Sequence, residues 1–276
     1  MTSGAPEREY VLARRVLLDA LDALGGHRDA CVLVGAQAVY FHTGPADIAV
    51  PEHTTDADLA IDPRILEASP LLGPTLIAAG FRATGRPGTW LGDEDVEVDL
   101  MVPATLGGGG RRGARIPPHD NNATRKAKGL EAAVEDWSTH RVASLGPDRD
   151  HRGHVIRVAG PAALLVAKLH KIADRVGEAD RSQDKDALDV LRLLQAVPTQ
   201  VLATSLQRLL TADVCATVVG EAIRHFEQLF ATSKPLGAEM AVRATGGLAD
   251  PETIRASCTV LARELLSEVR REARRQ

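Results

Sequence analysis

Aromatic residues and cysteines are scarce in this 276-residue chain, and each scarcity excludes a class of protein. Phe, Trp and Tyr together make up 3% of the residues, which is too few for a protein that stacks bases along single-stranded nucleic acid. The 3 cysteines are odd in number and far apart, so we expect neither a disulfide framework nor a cysteine-based zinc site. The core must therefore consist of aliphatic side chains.

Long apolar runs and an excess of positive charge are also missing. No stretch reaches the roughly 18 apolar residues of a membrane-spanning helix, and the first nine residues form no apolar signal core. The net charge of −4 argues against a chain that is polybasic throughout, so a polyanion would need a local concentration of basic groups. We expect a cytoplasmic protein with no membrane partner.

Hydrophobic periodicity predicts two halves of different composition. Apolar runs and alternation predict strands at residues 30–34, 55–61, 96–101 and 154–158, and helices at 7–24, 36–42 and 66–79. From residue 126 onward the pattern is helical, with segments at 126–137, 161–177, 185–195, 201–210, 215–231 and 251–274. We therefore predict an α+β protein, with a small mixed-sheet domain at residues 1–155 and an all-helical domain at residues 156–276.

Three acids on the predicted strands indicate a cation site. Asp56 and Asp58 are two residues apart, so both carboxylates leave the same face of their strand, and Asp99 lies on a later strand. Close carboxylates repel one another unless a cation lies between them, and oxygen ligands suit Mg²⁺, with Mn²⁺ as the alternative. Such a centre is typical of phosphoryl transfer. The bland alternative is a solvated strand face.

A glycine turn and a basic helix face supply candidate phosphate contacts. Gly35 ends an apolar run and Ala36 opens a helix, which would leave backbone N–H groups for an anion. Lys168, Lys171 and Arg175 share one face of a later helix, where their like charges need an anionic partner. That partner is either a nucleotide phosphate or the carboxylates of the next helix, Asp186 and Asp189.

Two segments resemble the signature of the nucleotidyltransferase superfamily: Val-Leu-Val-Gly-Ala-Gln-Ala at residues 32–38 and Thr-Asp-Ala-Asp-Leu at 55–59. Val-Glu-Val-Asp-Leu at 96–100 resembles its third-carboxylate strand. Together with the basic helix and Lys-Asp-Ala-Leu-Asp at 185–189, the chain is similar to the AbiEii/MenT group, the toxin nucleotidyltransferases of type IV toxin–antitoxin systems. Ala36 stands where that family has Gly or Ser, so only a backbone contact to phosphate is expected there.

The resemblance implies a bacterial enzyme of nucleotidyltransferase fold that moves a nucleoside monophosphate from an NTP to an acceptor hydroxyl. It implies an RNA acceptor such as tRNA, and an antitoxin protein as partner. Asp99 would also serve as the base on the hydroxyl. The implied residues are Asp56, Asp58 and Asp99 for catalysis and Mg²⁺, and Gly35, Ala36, Lys168, Lys171, Arg175 and Asp186 for the nucleotide.

A second basic cluster follows a run of four glycines at residues 107–110. We interpret it as an RNA contact through phosphates, although a solvated loop is an equal alternative. Its members are Arg111, Arg112, Arg115, Arg125, Lys126 and Lys128. Two other functions stay open at this point: a small-molecule nucleotidyltransferase of the antibiotic-modifying type, and a non-catalytic nucleotide-binding module.

Overall fold

The computed structural model describes residues 7–44, 50–146, 150–175 and 184–274, and the fold below refers to these residues. The strands are β1 (Cys31–Val34), β2 (Asp56–Ile61), β3 (Arg82–Ala83), β4 (Thr89–Leu91), β5 (Glu97–Pro103), β6 (Arg125–Ala127), β7 (Trp137–Ala143) and β8 (Gly153–Ala159). The helices are α1 (Arg8–Leu24), α2 (Gly35–Thr43), α3 (Leu72–Ala78), α4 (Pro161–Ala173), α5 (Asp184–Ala196), α6 (Thr199–Leu210), α7 (Ala216–Phe230), α8 (Leu236–Ala244) and α9 (Pro251–Ala273).

The eight strands form one mixed sheet, in which seven follow the order β3-β4-β5-β2-β1-β8-β7 and β6 pairs with β5 outside this order. Strand β2 runs antiparallel to β1 and parallel to β5, and β8 runs parallel to β1. Strand β2 pairs with one edge of β5. Strands β4 and β6 share the other edge, where β4 pairs with the first part of β5 and β6 with its end. All four residues of β1 are buried, as expected for a short apolar strand at the centre of a sheet.

Helices pack on the sheet and on one another around a core of aliphatic side chains. Helix α1 contacts β2, β5 and β8, and α2 contacts β1 and β2. Pro161 occupies the first turn of α4, a position where proline's missing N–H costs nothing. Helix α4 packs against α5 and α7 and against α2, so the helical region is joined to the sheet through α2. The helical second half is thus as predicted, while the expected boundary at 155/156 falls inside β8.

Most sequence-predicted elements are confirmed, with small differences in length. The strands predicted at 30–34, 55–61, 96–101 and 154–158 correspond to β1, β2, β5 and β8. The helix predicted at 66–79 is shorter and begins at Leu72, and α8, β3, β4 and β7 were not predicted. The predicted end of the 161–177 helix lies outside the described residues.

The helix predicted at residues 126–137 was wrong. The segment forms β6, a series of turns and the first residue of β7. Gly129 has a φ of +92°, and a Cβ there would lie 3.1 Å from the Cα of Ala167 and from His170 on α4. Glu131 is fully buried and accepts hydrogen bonds from the backbone N–H groups of Gly129 and Thr105, at 2.8 and 3.0 Å. Packing on α4 and these buried bonds outweigh the helix propensity of the segment.

A helix that crosses a membrane has to be long and apolar. Within the residues that the structure describes, no helix is both long and apolar enough to cross a lipid bilayer.

Candidate active site

The register of β2 and β5 brings the predicted acids together. These two parallel strands pair Asp58 with Asp99 and Asp56 with Glu97. Partners in register point to the same face of a sheet, so the Asp58 and Asp99 side chains are neighbours. Asp56 lies two residues before Asp58 and shares that face. The structure therefore places all three predicted acids in one region of one sheet face.

Hydroxyl and guanidinium donors hold two of these carboxylates. The Thr54 hydroxyl donates to Asp56 Oδ1 at 2.6 Å, and the Thr89 hydroxyl donates to Asp99 Oδ1 at 2.7 Å. The other oxygen of Asp99, Oδ2, accepts from Arg125 Nη2 at 2.6 Å. Both Asp99 oxygens thus have protein donors.

The three acids differ in their electrostatic surroundings. Burial raises the pKa of Asp58 to about 6, with a contribution from the charge of Asp56, although Lys171 acts in the opposite direction. Burial alone would also raise the pKa of Asp56, but Lys185 and the Thr54 hydroxyl outweigh it, so this pKa lies below its usual value. Asp58 is therefore the acid whose charge is least compensated.

Gly35 lies directly against the Asp58 carboxylate. It has a φ of +71°, which favours glycine, and a Cβ at this position would overlap the Asp58 side chain. Val34, the residue before it, pairs with Asp58 across β1 and β2. Helix α2 begins at Gly35, and Ala36 is buried in its first turn. The start of α2, with its unpaired backbone N–H groups, therefore adjoins the acids.

A cavity of about 220 Å³ opens beside these residues. Asp58 and Gly35 line one part of it, and aliphatic side chains of Leu130 and Leu164 line another. The remaining wall holds one acid, Asp174, and several positive residues, which come from β6 and the residue after it and from α4 and the turn that follows. The positive residues are Arg125, Lys126, Lys128, Lys168, Lys171 and Arg175. This arrangement suits an anionic ligand with an apolar part.

Lys168 is held between two acids of the neighbouring helix. It is 4% exposed, and its Nζ donates to Asp186 Oδ1 and Asp189 Oδ2, each at 2.6 Å. Burial opposes the charge of Lys168, but the two carboxylates keep its pKa well above the usual value. Burial likewise opposes the charge of Asp186, whose pKa nevertheless falls to about 2 beside Lys168 and Lys171. These residues join α4 to α5.

Lys171 is the more accessible cation on α4. Its side chain is 38% exposed, and its Nζ lies 3.3 Å from Asp186 Oδ2. It also acts electrostatically on Asp58 and Asp56, and it lines the same cavity as Asp58. Of the predicted nucleotide contacts, Lys171 and Arg175 line the cavity wall, whereas Asp186 is buried against Lys168.

The second basic cluster is divided between the loop and the cavity. Lys126 Nζ bonds back to the carbonyls of Gly108 and Gly110, and Lys128 forms an ion pair with Glu221 at 2.6 Å. Arg125 faces Asp99, as described above. The three members on the glycine-rich loop are exposed: Arg111, Arg112 and Arg115.

Several residues at the site were not identified from the sequence. Thr54 and Thr89 were not named, because a lone Thr carries no specific signal, and Lys185 was named only as part of the Lys-Asp-Ala-Leu-Asp segment, without a role of its own. Gln37 is buried, accepts from Arg14 Nε at 2.7 Å and donates to the backbone oxygen of Asp56 at 3.0 Å. It ties α1 and α2 to the start of β2, a role visible only in the folded chain.

The donor chemistry of the three acids fits a hard divalent cation such as Mg²⁺. Their oxygens do not yet converge, since Asp56, Asp58 and Asp99 do not bring one oxygen each within 4.8 Å of one another. Among the described residues, three such ligand atoms do lie within 4.8 Å of one another in Glu7, Glu9 and His53, near the surface. A cation held by all three acids therefore requires side-chain rotation.

Comparisons with protein-family models, with curated proteins and with solved structures found no match to this chain.

Proposed function

We propose that this protein is a divalent-metal-dependent nucleotidyltransferase that moves a nucleoside monophosphate from an NTP to an acceptor hydroxyl. The observation that carries the proposal is the pairing of Asp58 with Asp99 across β2 and β5, beside Asp56 and against Gly35. Acids in this arrangement, next to a cationic cavity, are what a phosphoryl-transfer site requires. The proposal includes a nucleotidyltransferase fold for the sheet region.

Asp56, Asp58 and Asp99 would hold Mg²⁺, or Mn²⁺ in its place. A cation bound there would neutralise phosphate charge and align the reacting oxygens. The pKa of Asp58, raised by burial and by Asp56, supports this assignment because a cation would relieve the same repulsion. Gly35 and Ala36 would bind phosphate oxygens through backbone N–H groups. Lys171 and Arg175 would face the triphosphate from the helical side.

In the proposed reaction the acceptor oxygen attacks the α-phosphorus. A new phosphorus–oxygen bond forms, the bond to the β-phosphate oxygen breaks, and pyrophosphate leaves. The hydroxyl proton passes to Asp99, whose carboxylate lies beside Asp58. The chain's own residues thus bind the triphosphate, orient the acceptor and accept one proton.

RNA, such as tRNA, is the acceptor that we propose. Arg111, Arg112 and Arg115 are exposed on the loop that leads into β6, and Arg125 of β6 lines the cavity. Exposed arginines near a transfer site are suited to the phosphates of a polyanion. As part of the same proposal, modification of RNA makes the protein a growth-arresting toxin that an antitoxin protein restrains.

The test is incubation of the purified protein with Mg²⁺, total RNA and each α-labelled NTP in turn. We expect label to appear in RNA for at least one NTP and to be absent with the Asp58→Asn variant. Asp213→Asn is the matched control, since Asp213 is exposed on the turn before α7 and the charge change is the same. Equal labelling by wild type and Asp58→Asn would refute the proposal.

The same assay separates the alternative functions. Label transferred to a small hydroxyl compound but never to RNA would indicate a small-molecule nucleotidyltransferase. NTP binding without transfer to any acceptor would indicate a non-catalytic nucleotide-binding module. For the toxin proposal, induced expression of wild type should arrest bacterial growth and Asp58→Asn should not.

A further inference from the structure

Asp99 is the acid whose oxygens are most completely occupied by protein donors. Thr89 Oγ1 donates to its Oδ1 at 2.7 Å and Arg125 Nη2 donates to its Oδ2 at 2.6 Å. A hydroxyl is a neutral donor that can remain beside a metal-bound carboxylate. The guanidinium is different, because it brings a full positive charge to the side of the acid where a metal cation would also act.

The backbone of Arg125 is fixed at the sheet edge. It pairs with Met101 in the ladder of β5 and β6, and it passes close to Gly88. A side chain at Gly88, whose φ is +74°, would meet the Arg125 backbone nitrogen and would lie 2.6 Å from the Leu100 oxygen. Only the side chain of Arg125 is therefore able to change partners.

The Arg125 side chain also borders the cavity in which a phosphate would bind. It is 33% exposed, whereas the Asp99 side chain is 21% exposed, and it lines the same cavity as Lys171 and Arg175. A phosphate in this cavity would face cations from the sheet edge and from α4 together. The guanidinium offers several N–H donors in a planar fork, which suits phosphate as well as carboxylate.

A guanidinium and a divalent cation on the same carboxylate repel each other at short range in a partly buried site. The structure also shows that the oxygens of Asp56, Asp58 and Asp99 do not lie within 4.8 Å of one another while Arg125 is bonded to Asp99. In the arrangement where the three acids do not converge, the ion pair therefore occupies one oxygen of Asp99, and a cation that binds this carboxylate has to compete with it.

We infer that Arg125 is a positioning residue that occupies Asp99 in the cation-free protein and transfers to an NTP phosphate when a divalent cation binds to the acids. The inference rests on the proposed function. It makes the two cations competitors for Asp99, so Arg125 weakens binding of the metal alone. It also couples metal to nucleotide, because a phosphate that takes up the freed guanidinium favours the metal-bound state.

The experiment is a Mn²⁺ titration followed by electron paramagnetic resonance, with and without a non-hydrolysable NTP. It compares wild type, Arg125→Gln and the control Arg86→Gln, since Arg86 forms an ion pair with Glu97 on the same strand as Asp99. We expect Arg125→Gln to bind Mn²⁺ alone at least about fivefold more tightly than wild type, and Arg86→Gln within about twofold. The NTP analogue should strengthen Mn²⁺ binding less in Arg125→Gln than in wild type.

Unchanged or weaker Mn²⁺ binding by folded Arg125→Gln would overturn the inference. If that variant does not fold, a crystal structure of wild type with Mn²⁺ and the analogue replaces it. The guanidinium should then contact a phosphate oxygen, and an ion pair still closed on Asp99 would overturn the inference. If wild type transfers nucleotide but Arg125→Gln does not change Mn²⁺ binding, the inference fails and the proposed function stands. If Arg125→Gln binds Mn²⁺ more tightly but wild type transfers no nucleotide, competition for Asp99 stands and the proposed function fails.

Discussion

Gly35 lies so close to the Asp58 carboxylate that residue 35 has no room for a side chain. The φ of Gly35 is +71°, and a Cβ built on it would overlap the Asp58 carboxylate. Helix α2 therefore begins in contact with the acid because residue 35 has no side chain. This contact places the start of the helix beside the carboxylate group.

Substitution Gly35→Ala should disrupt this contact. We expect a loss of about 1–3 kcal/mol in the free energy of unfolding, since alanine is strained at positive φ and its methyl group would displace Asp58. Mn²⁺ binding should weaken together with stability. Urea denaturation and a Mn²⁺ titration measure the two effects.

Gly26→Ala is the matched control for that prediction. Gly26 lies in the short 3-10 helix Gly25–Ala30, and a Cβ there would have its nearest contact at 3.6 Å, to Glu67. Its stability should stay within about 0.5 kcal/mol of wild type. Equal stability and equal Mn²⁺ binding in Gly35→Ala would mean that the contact with Asp58 is unimportant.

The raised pKa of Asp58 predicts a pH-dependent stability. Its pKa rises from 3.8 to about 6 in the folded protein, chiefly through burial. A carboxyl group with a higher pKa in the folded state favours folding when protonated, so its ionisation removes stability as the pH rises from about 4 through about 6. Asp58→Asn should therefore be more stable than wild type near pH 7 without metal, by up to about 3 kcal/mol.

Thermal unfolding in chelator at several pH values checks this prediction. The advantage of Asp58→Asn should shrink as the pH falls towards about 4, where Asp58 is protonated in the folded wild type. Adding Mg²⁺ should raise the melting temperature of wild type more than that of the variant. A variant that is less stable than wild type near pH 7 would contradict the assigned environment of Asp58.

Lys168 and Lys171 should differ in what their loss does. Lys168→Met would leave Asp186 and Asp189 buried without their cation, so we expect a loss of about 3–5 kcal/mol in stability. Lys171→Ala removes a half-exposed ammonium group and should cost less than about 1 kcal/mol. NTP binding should nevertheless weaken by about tenfold in Lys171→Ala, through loss of a charge-assisted phosphate contact.

Chemical denaturation and titration with a fluorescent NTP separate these two roles. A stable Lys168→Met protein that no longer binds NTP would show that Lys168 contacts phosphate instead of serving to join α4 and α5.

The glycine-rich loop should control RNA binding. We expect Arg111→Ala combined with Arg112→Ala to weaken RNA binding and to reduce the slope of log affinity against log salt by about 1.5–2, because two phosphate contacts are lost. The matched control is Lys234→Ala combined with Arg263→Ala, which removes two exposed charges in the helical region. Filter binding at several salt concentrations measures the slopes. The same slope in wild type and in the loop variant would show that the loop does not contact RNA.

Local sequence features were sufficient to predict much of the sheet. The apolar run at β1 and the alternation in β2 and β5 are short-range patterns, and each predicted its strand. The spacing of Asp56 and Asp58 also determined that they share a face, because side chains alternate along any strand.

Contacts distant in sequence decided the rest of the site. The sequence suggested that Lys168 binds either phosphate or the acids of α5, and the folded chain shows it buried against Asp186 and Asp189. The sequence placed Arg125 in a basic cluster for RNA, which stays a prediction, but it gave no indication that Arg125 pairs with Asp99. Each of these ion pairs joins residues on different helices or strands. Local propensity carries no information on which charged side chains meet in this way.

The amino-acid sequence by itself determined which residues carry charge, which strand face holds two acids and where a glycine interrupts the backbone. Tertiary structure alone decided that Asp58 and Asp99 lie in register, that Gly35 contacts Asp58, and that residues 126–137 do not form a helix. The physical reason is that strand register and burial are settled by packing between segments far apart in the chain. Those non-local free energies exceed the small preferences of any single segment.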